Sequence, residues 1–244
     1  LDIGGLTFVL PINIQAWDIY EIFLLDAATY VAVIFIFTLI RYTPIAKEKI
    51  HTEGLFDRLK GGVRYLRDHP IIFVFGLASY MLFAFTLVEI HVVLPLYVKN
   101  FLGMGGNIFA SAEIYYSFGA IFSGVLILRL FKKFNTVIGV IILMLVVACA
   151  FYLMFMYKIL WIFFLGSFLL GITNAGVRIL RTTYIFYHVP NNLIGRTGSV
   201  FNTLNIVVRM LLIGLFTFSF FQIGDNIRFG YLVATLNLFF FLSL

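Results

Sequence analysis

Apolar residues fill this chain in long uninterrupted blocks, and the polar positions collect in the short stretches between them. Ile71–Leu87, Val137–Met156 and Ile159–Val177 each run without one charged residue. A helix rises about 1.5 Å per residue, so ~20 such residues cross a hydrocarbon core of ~30 Å. Block length, charge and Gly/Pro punctuation predict a partial helix to about Ile14 and spans near 20–40, 71–97, 108–130, 136–157, 159–187, 198–222 and 228–244. The pattern is that of an all-α polytopic membrane protein with about seven transmembrane helices plus a partial one.

Composition excludes a soluble domain: 62% of residues are apolar and 11% charged, with a mean hydropathy of +1.06. Charge also sets the orientation. One set of alternate connectors holds Arg41, Lys47, Lys49, Arg58, Lys60, Arg64, Arg67, then Arg129, Lys132, Lys133, then Arg181 and Arg196; the other holds Lys99, Lys158 and Arg228. The first set is expected on the cytoplasmic side. A cysteine placed at Lys49 should therefore resist an impermeant thiol reagent applied to intact cells; ready labelling would reverse the topology.

The longest connector, 42–70, divides the chain into the end of a first helical bundle (1–41), a linker and a six-helix transmembrane bundle (71–244). Thr52 and Glu53 can start a helix there, and Leu55, Phe56, Leu59, Val63 and Leu66 fall on one face until Pro70. The expectation is an amphipathic helix lying at the membrane interface. Leu1 is not an initiator Met and Leu244 closes an apolar run, so a fragment cut inside a helix at both ends is expected. Ala120 with Gly124, and Gly171 with Ala175, have the spacing of small residues that lets helices approach closely in lipid.

Enzyme signatures are absent: the sequence has no H-E-x-x-H, C-x-x-C, G-x-S-x-G or Walker motif. No catalytic residue, cofactor, metal site or nucleic-acid partner is expected. The lone cysteine, Cys149, is assigned to packing. The chemistry must then reside in polar groups within the spans, which lipid makes expensive. Arg209 lies eleven residues after Gly198, roughly 16 Å along a helix, and Asn202, Asn205 and Arg209 share a face. Asn174, Arg178 and Arg181 share another, with both arginines close enough to the inner boundary to snorkel. Asp26, Glu89, His91 and Glu113 lie at similar depth toward the outer side, where buried carboxyls and a histidine suit proton exchange. Arg209, Asn205, Asn202, Arg178 and Asn174 are the candidate substrate residues, and Glu113, Glu89, His91 and Asp26 the candidate proton-coupling residues.

Four stretches resemble the C-terminal half of a bacterial major facilitator superfamily transporter, in the branch of macrolide and siderophore effluxers. Phe23-Leu24-Leu25-Asp26-Ala27-Ala28-Thr29-Tyr30 resembles the start of that branch's sixth helix. Gly62-x-Arg64-Tyr65-Leu66-Arg67-Asp68-His69-Pro70, with the run Val93 to Gly103 after it, is similar to its central loop and next helix. Gly124, Arg129, Lys132 and Lys133 match the second copy of the cytoplasmic gating-loop motif, with Leu128 in place of its acid and Phe131 in place of a Gly. Val189-Pro190-Asn191-Asn192-x2-Gly195-Arg196-x2-Ser199-Val200-Phe201-Asn202 resembles the loop joining the tenth and eleventh helices. The resemblance implies a multi-pass protein of the inner (plasma) membrane whose N-terminal half is missing. It also implies alternating access around a central site, with a small-molecule substrate, protons and membrane lipid as partners. Proton-coupled efflux is the expected activity; an importer or lysolipid flippase on the same fold, or a structural membrane subunit, is the alternative.

Overall fold

The computed structural model describes residues 2–3, 6–7, 18–40, 54–131 and 135–243. The chain divides into two units, Leu1–Thr52 and Glu53–Leu244.

In the first unit, β1 (Asp2–Ile3) pairs antiparallel with β2 (Leu6–Thr7), Asp2 opposite Thr7 and Ile3 opposite Leu6. At these positions the strand pair stands where a partial helix was expected; residues 8–14 of that expectation lie outside the described residues. The sequence between the strands is Gly4-Gly5, which favours a tight hairpin reversal and disfavours a helix. The helix α1 (Ile19–Leu39) follows. At its start the Asp18 backbone N–H donates to Glu21 Oε2 at 2.9 Å, satisfying a group the helix itself leaves free. Its residues are exposed on every face, and a helix apolar all round requires a hydrocarbon surrounding.

The second unit begins with α2 (Leu55–Asp68). One face of it packs against the bundle: Gly62 and Leu66 are buried, and a Cβ on Gly62 would come within 2.6 Å of the Arg196 carbonyl oxygen. Only half of the expected apolar face is used this way, since Phe56 and Val63 stay exposed.

Pro70, which needs no amide partner at a helix start, opens α3, a helix running from Pro70 to Leu102. Two π-helical segments, Glu89–Val93 and Tyr97–Leu102, flank Leu94–Leu96. Pro95 between them lacks an N–H and crowds the carbonyl four residues back, and the widened turns relieve that conflict. Gly103, at φ +71°, ends the helix as a residue without a Cβ can.

Then come α4 (Gly106–Leu130), α5 (Thr136–Met156), α6 (Leu160–His188), α7 (Asn191–Phe216), the short turn α8 (Ser219–Gln222) and α9 (Phe229–Leu242). Six helices among the described residues are long and apolar enough to cross a membrane. Three expected spans differ: 71–97 runs on to Leu102; in place of 198–222, α7 starts at Asn191, directly after Pro190, and stops at Phe216; and in place of 228–244, α9 has 14 residues and is not among the six.

The bundle is packed through glycines. A Cβ on Gly119 would stand 2.1 Å from the Phe168 carbonyl oxygen, and one on Gly171 would stand 2.0 Å from that of Tyr116. So α4 and α6 touch backbone to backbone, as expected at Gly171. Gly124 meets nothing within 4 Å; Gly119 takes the packing role expected of it. Elsewhere α3, α5, α6 and α9 enclose the aromatic side chains Phe85, Tyr97, Phe151, Phe163 and Tyr231, and Tyr97 donates to the Met154 carbonyl at 2.7 Å. Cys149 is exposed, contrary to its packing assignment, because the buried stripe of α5 runs through Val147, Ala148 and Phe151. A thiol on a lipid-facing surface carries no desolvation cost that would force it inward.

Polar side chains within the spans as a candidate functional site

The central residue of α6 is Asn174, and its Nδ2 donates to the Tyr116 hydroxyl of α4 at 2.7 Å. The backbone contact at Gly171 brings these helices close enough for so short a bond. One turn further on, Arg178 is exposed, and its carbonyl accepts from Thr182 at 2.8 Å.

Arg181 departs from the shared face expected for it. It is 5% exposed, its Nη1 donates to the Ser79 carbonyl at 3.0 Å, and its guanidinium sits 3.7 Å from the centroid of the Tyr80 ring. Positions three apart on a helix are separated by about 60°, enough here to send Arg178 outward and Arg181 against α3. A ring face and a carbonyl hold this buried cation in place of a carboxylate.

On the other side of the same tyrosine, Asn205 of α7 is buried and donates from Nδ2 to the Tyr80 carbonyl at 3.1 Å. Phe201 stacks on the Tyr80 ring at 5.3 Å. Asn205 Oδ1 and Arg209 Nε are enclosed with no hydrogen-bond partner. Asn202, on the same stripe, is exposed.

The carboxylates form a second group. Glu89 lies in the first π-helical segment of α3, 1% exposed; its Oε1 accepts from the Tyr231 hydroxyl at 2.8 Å, while Oε2 is buried without a partner. Because α3 continues to Leu102, Glu89 stands near the middle of its helix and not in the outer third. Glu113 on α4 is half-buried and lies within electrostatic reach of both Glu89 and His91; His91 is exposed. Glu113 also lines an open groove of about 330 Å³ with Ile114, Ser117, Phe118 and Ile121. Tyr116 joins the two groups, being within reach of Glu89, Glu113 and Arg178. Asp26 is exposed on α1, in the first unit.

Of the gating-loop residues, Arg129 is exposed and Gly124 faces open space; Lys132 and Lys133 lie outside the described residues. Tyr116, Tyr231 and Tyr80 were not expected as site residues. Tyr116 follows Glu113 by three on one helix and had a sequence signal. Tyr231 had none, since its partner is 142 positions away.

Arg178 lies four residues past the midpoint of α6, toward its His188 end. Arg178, Asn174 and Tyr116 form one polar strip on the α4–α6 pair. Residues 7–213 match the family model described as Major Facilitator Superfamily. No curated protein and no solved structure matches the chain.

Proposed function

Since the chain belongs to the major facilitator superfamily, we propose that it is a secondary active transporter of the inner (plasma) membrane that exports a small organic molecule in exchange for protons. The observation that carries this reading is the polar strip on the α4–α6 pair, where the exposed Arg178 lies one turn beyond the Asn174–Tyr116 bond. On this reading Arg178, Asn174 and Asn202 line the path, and Asn205 and Arg209 complete the substrate residues. Glu113 and Glu89 take the proton, with His91 as the exposed group beside them. Binding of protons and of cargo favours different members of a pair of inward-open and outward-open states, which is what alternating access requires.

The test uses proteoliposomes with an imposed pH gradient and a radiolabelled macrolide as probe. Uptake into inside-out vesicles with an acidic lumen should follow the gradient and collapse with a protonophore. Glu113→Gln keeps the shape but removes the titrating group, so gradient-driven transport should fall at least tenfold while equilibrium binding persists. Unchanged pH-driven uptake would remove Glu113 from the mechanism.

A lysolipid flippase is the second reading, favoured by an aromatic groove of about 500 Å³ between α4 and α6 lined by Tyr115, Phe118, Trp161, Phe164, Leu165 and Phe168. Such a wall suits an acyl chain. Translocation of a fluorescent lysolipid in the same vesicles separates the two.

A further inference from the structure

Three basic residues, Lys99, Lys158 and Arg228, occupy the connectors at the end of the bundle opposite the basic linker. The fold gathers two of them, Lys158 and Arg228, around one ring although they are far apart in sequence. Lys158 Nζ lies 5.4 Å from the centroid of Phe101 and the Arg228 guanidinium 5.9 Å from it; Lys99 is two residues earlier on α3. Phe155 and Phe229 also face the Arg228 guanidinium, at 5.7 and 5.5 Å. Phe101 is buried and packs on Tyr97 at 4.9 Å between ring centroids, so the platform under both cations is rigid.

Arg228 carries five N–H donors, and none makes a hydrogen bond among the described residues; Nε is sealed from solvent without a partner. Neither cation has a carboxylate at ion-pair distance among those residues. Asp225, in the same short 3-10 turn as Arg228, is exposed and unpaired with it. Ring faces hold the guanidinium by its charge but leave its two Nη nitrogens, which are not sealed as Nε is, for an oxyanion that they can meet in two parallel bonds. Exposed Tyr152, Tyr157 and Trp161 surround this end, as aromatic residues do at the headgroup level of a bilayer.

We infer that Arg228 and Lys158 form a binding site for a phosphate group, supplied by an anionic phospholipid of the leaflet at this end of the bundle. The occupant joins the end of α3, the α5–α6 connector and the start of α9. It is independent of the transported molecule.

The experiment is native mass spectrometry of the purified chain, released from detergent containing phosphatidylglycerol or phosphatidylcholine. Phosphatidylglycerol should be retained in preference to phosphatidylcholine. Lys158→Gln, an exposed change that leaves the core untouched, should weaken retention about tenfold, the loss of one charge-assisted contact. Arg228→Gln should weaken it further, and Arg228→Lys should restore part of the loss. Displacement by excess inorganic phosphate assigns the site to phosphate from either source, and resistance to displacement assigns it to the lipid. Equal retention by wild type and Lys158→Gln, or of the two lipids by wild type, overturns the site.

Discussion

Arg178→Met should abolish gradient-driven transport of the macrolide probe while the purified protein melts within a few degrees of wild type. The side chain is exposed and supports no packing that the substitution would empty. Its removal costs interactions with whatever binds along the polar strip, at roughly 1.5–3 kcal/mol for each charge-assisted bond, a loss of tenfold or more in affinity. Arg178→Lys keeps the charge but not the fork, so binding should weaken without vanishing. The control is Arg181→Met, three residues away. That guanidinium is buried against the Ser79 carbonyl and the Tyr80 ring, and its loss removes both contacts and leaves a void between α3 and α6, so folded yield should drop. Full transport by a well-folded Arg178→Met protein would mean that the arginine faces neither cargo nor its path.

The largest effect on stability is expected at Gly171. Gly171→Leu must place a Cβ 2.0 Å from the Tyr116 carbonyl oxygen and 3.1 Å from the Ala120 amide nitrogen, and neither backbone atom can rotate away. The helices must separate, which loses the close packing that holds them together in lipid and stretches the Asn174–Tyr116 bond. Overpacking of an ordinary core costs about 1–3 kcal/mol; here it falls on backbone along a whole helix pair, so the folded fraction recovered by size exclusion should collapse. Gly124→Leu, five positions beyond Gly119 on the same helix but facing open space, should be recovered like wild type. If both variants behave alike, the contact is not what holds α4 to α6.

How far the sequence alone could be read depended on the kind of signal. Apolar length is a property of consecutive residues, so Thr136–Met156 and Leu160–His188 were legible to within a residue or two. The start of α7 was not, because Arg196 lies within a helix that begins five residues before it. Rotation about the helix axes was hidden for a different reason: α3 and α5 are apolar on all sides, so no stripe distinguishes the face toward protein from the face toward lipid. That is why Cys149 was assigned to packing. Where a stripe did exist, on α2, the helix was legible but its partner was not, since nothing in Leu59 or Leu66 names α7. The bond from Tyr231 to Glu89 is the extreme case. It depends on the register between helices that are not adjacent in the chain, and a single sequence carries no record of that register.

Pro95 leaves α3 with a hydrogen-bond ladder that can be redrawn. Each π-helical segment beside it pairs an amide with the carbonyl five residues back, and the ordinary helix pairs it with the carbonyl four back. Moving a segment from one register to the other exchanges partners without stranding an amide, and a stranded amide would cost several kcal/mol in a membrane that supplies no water. The stretch from Leu94 to Leu102 can thus swing on the stiff rod of Pro70–Val88 by a change of pairing, and Glu89 sits in the first turn that would have to re-pair.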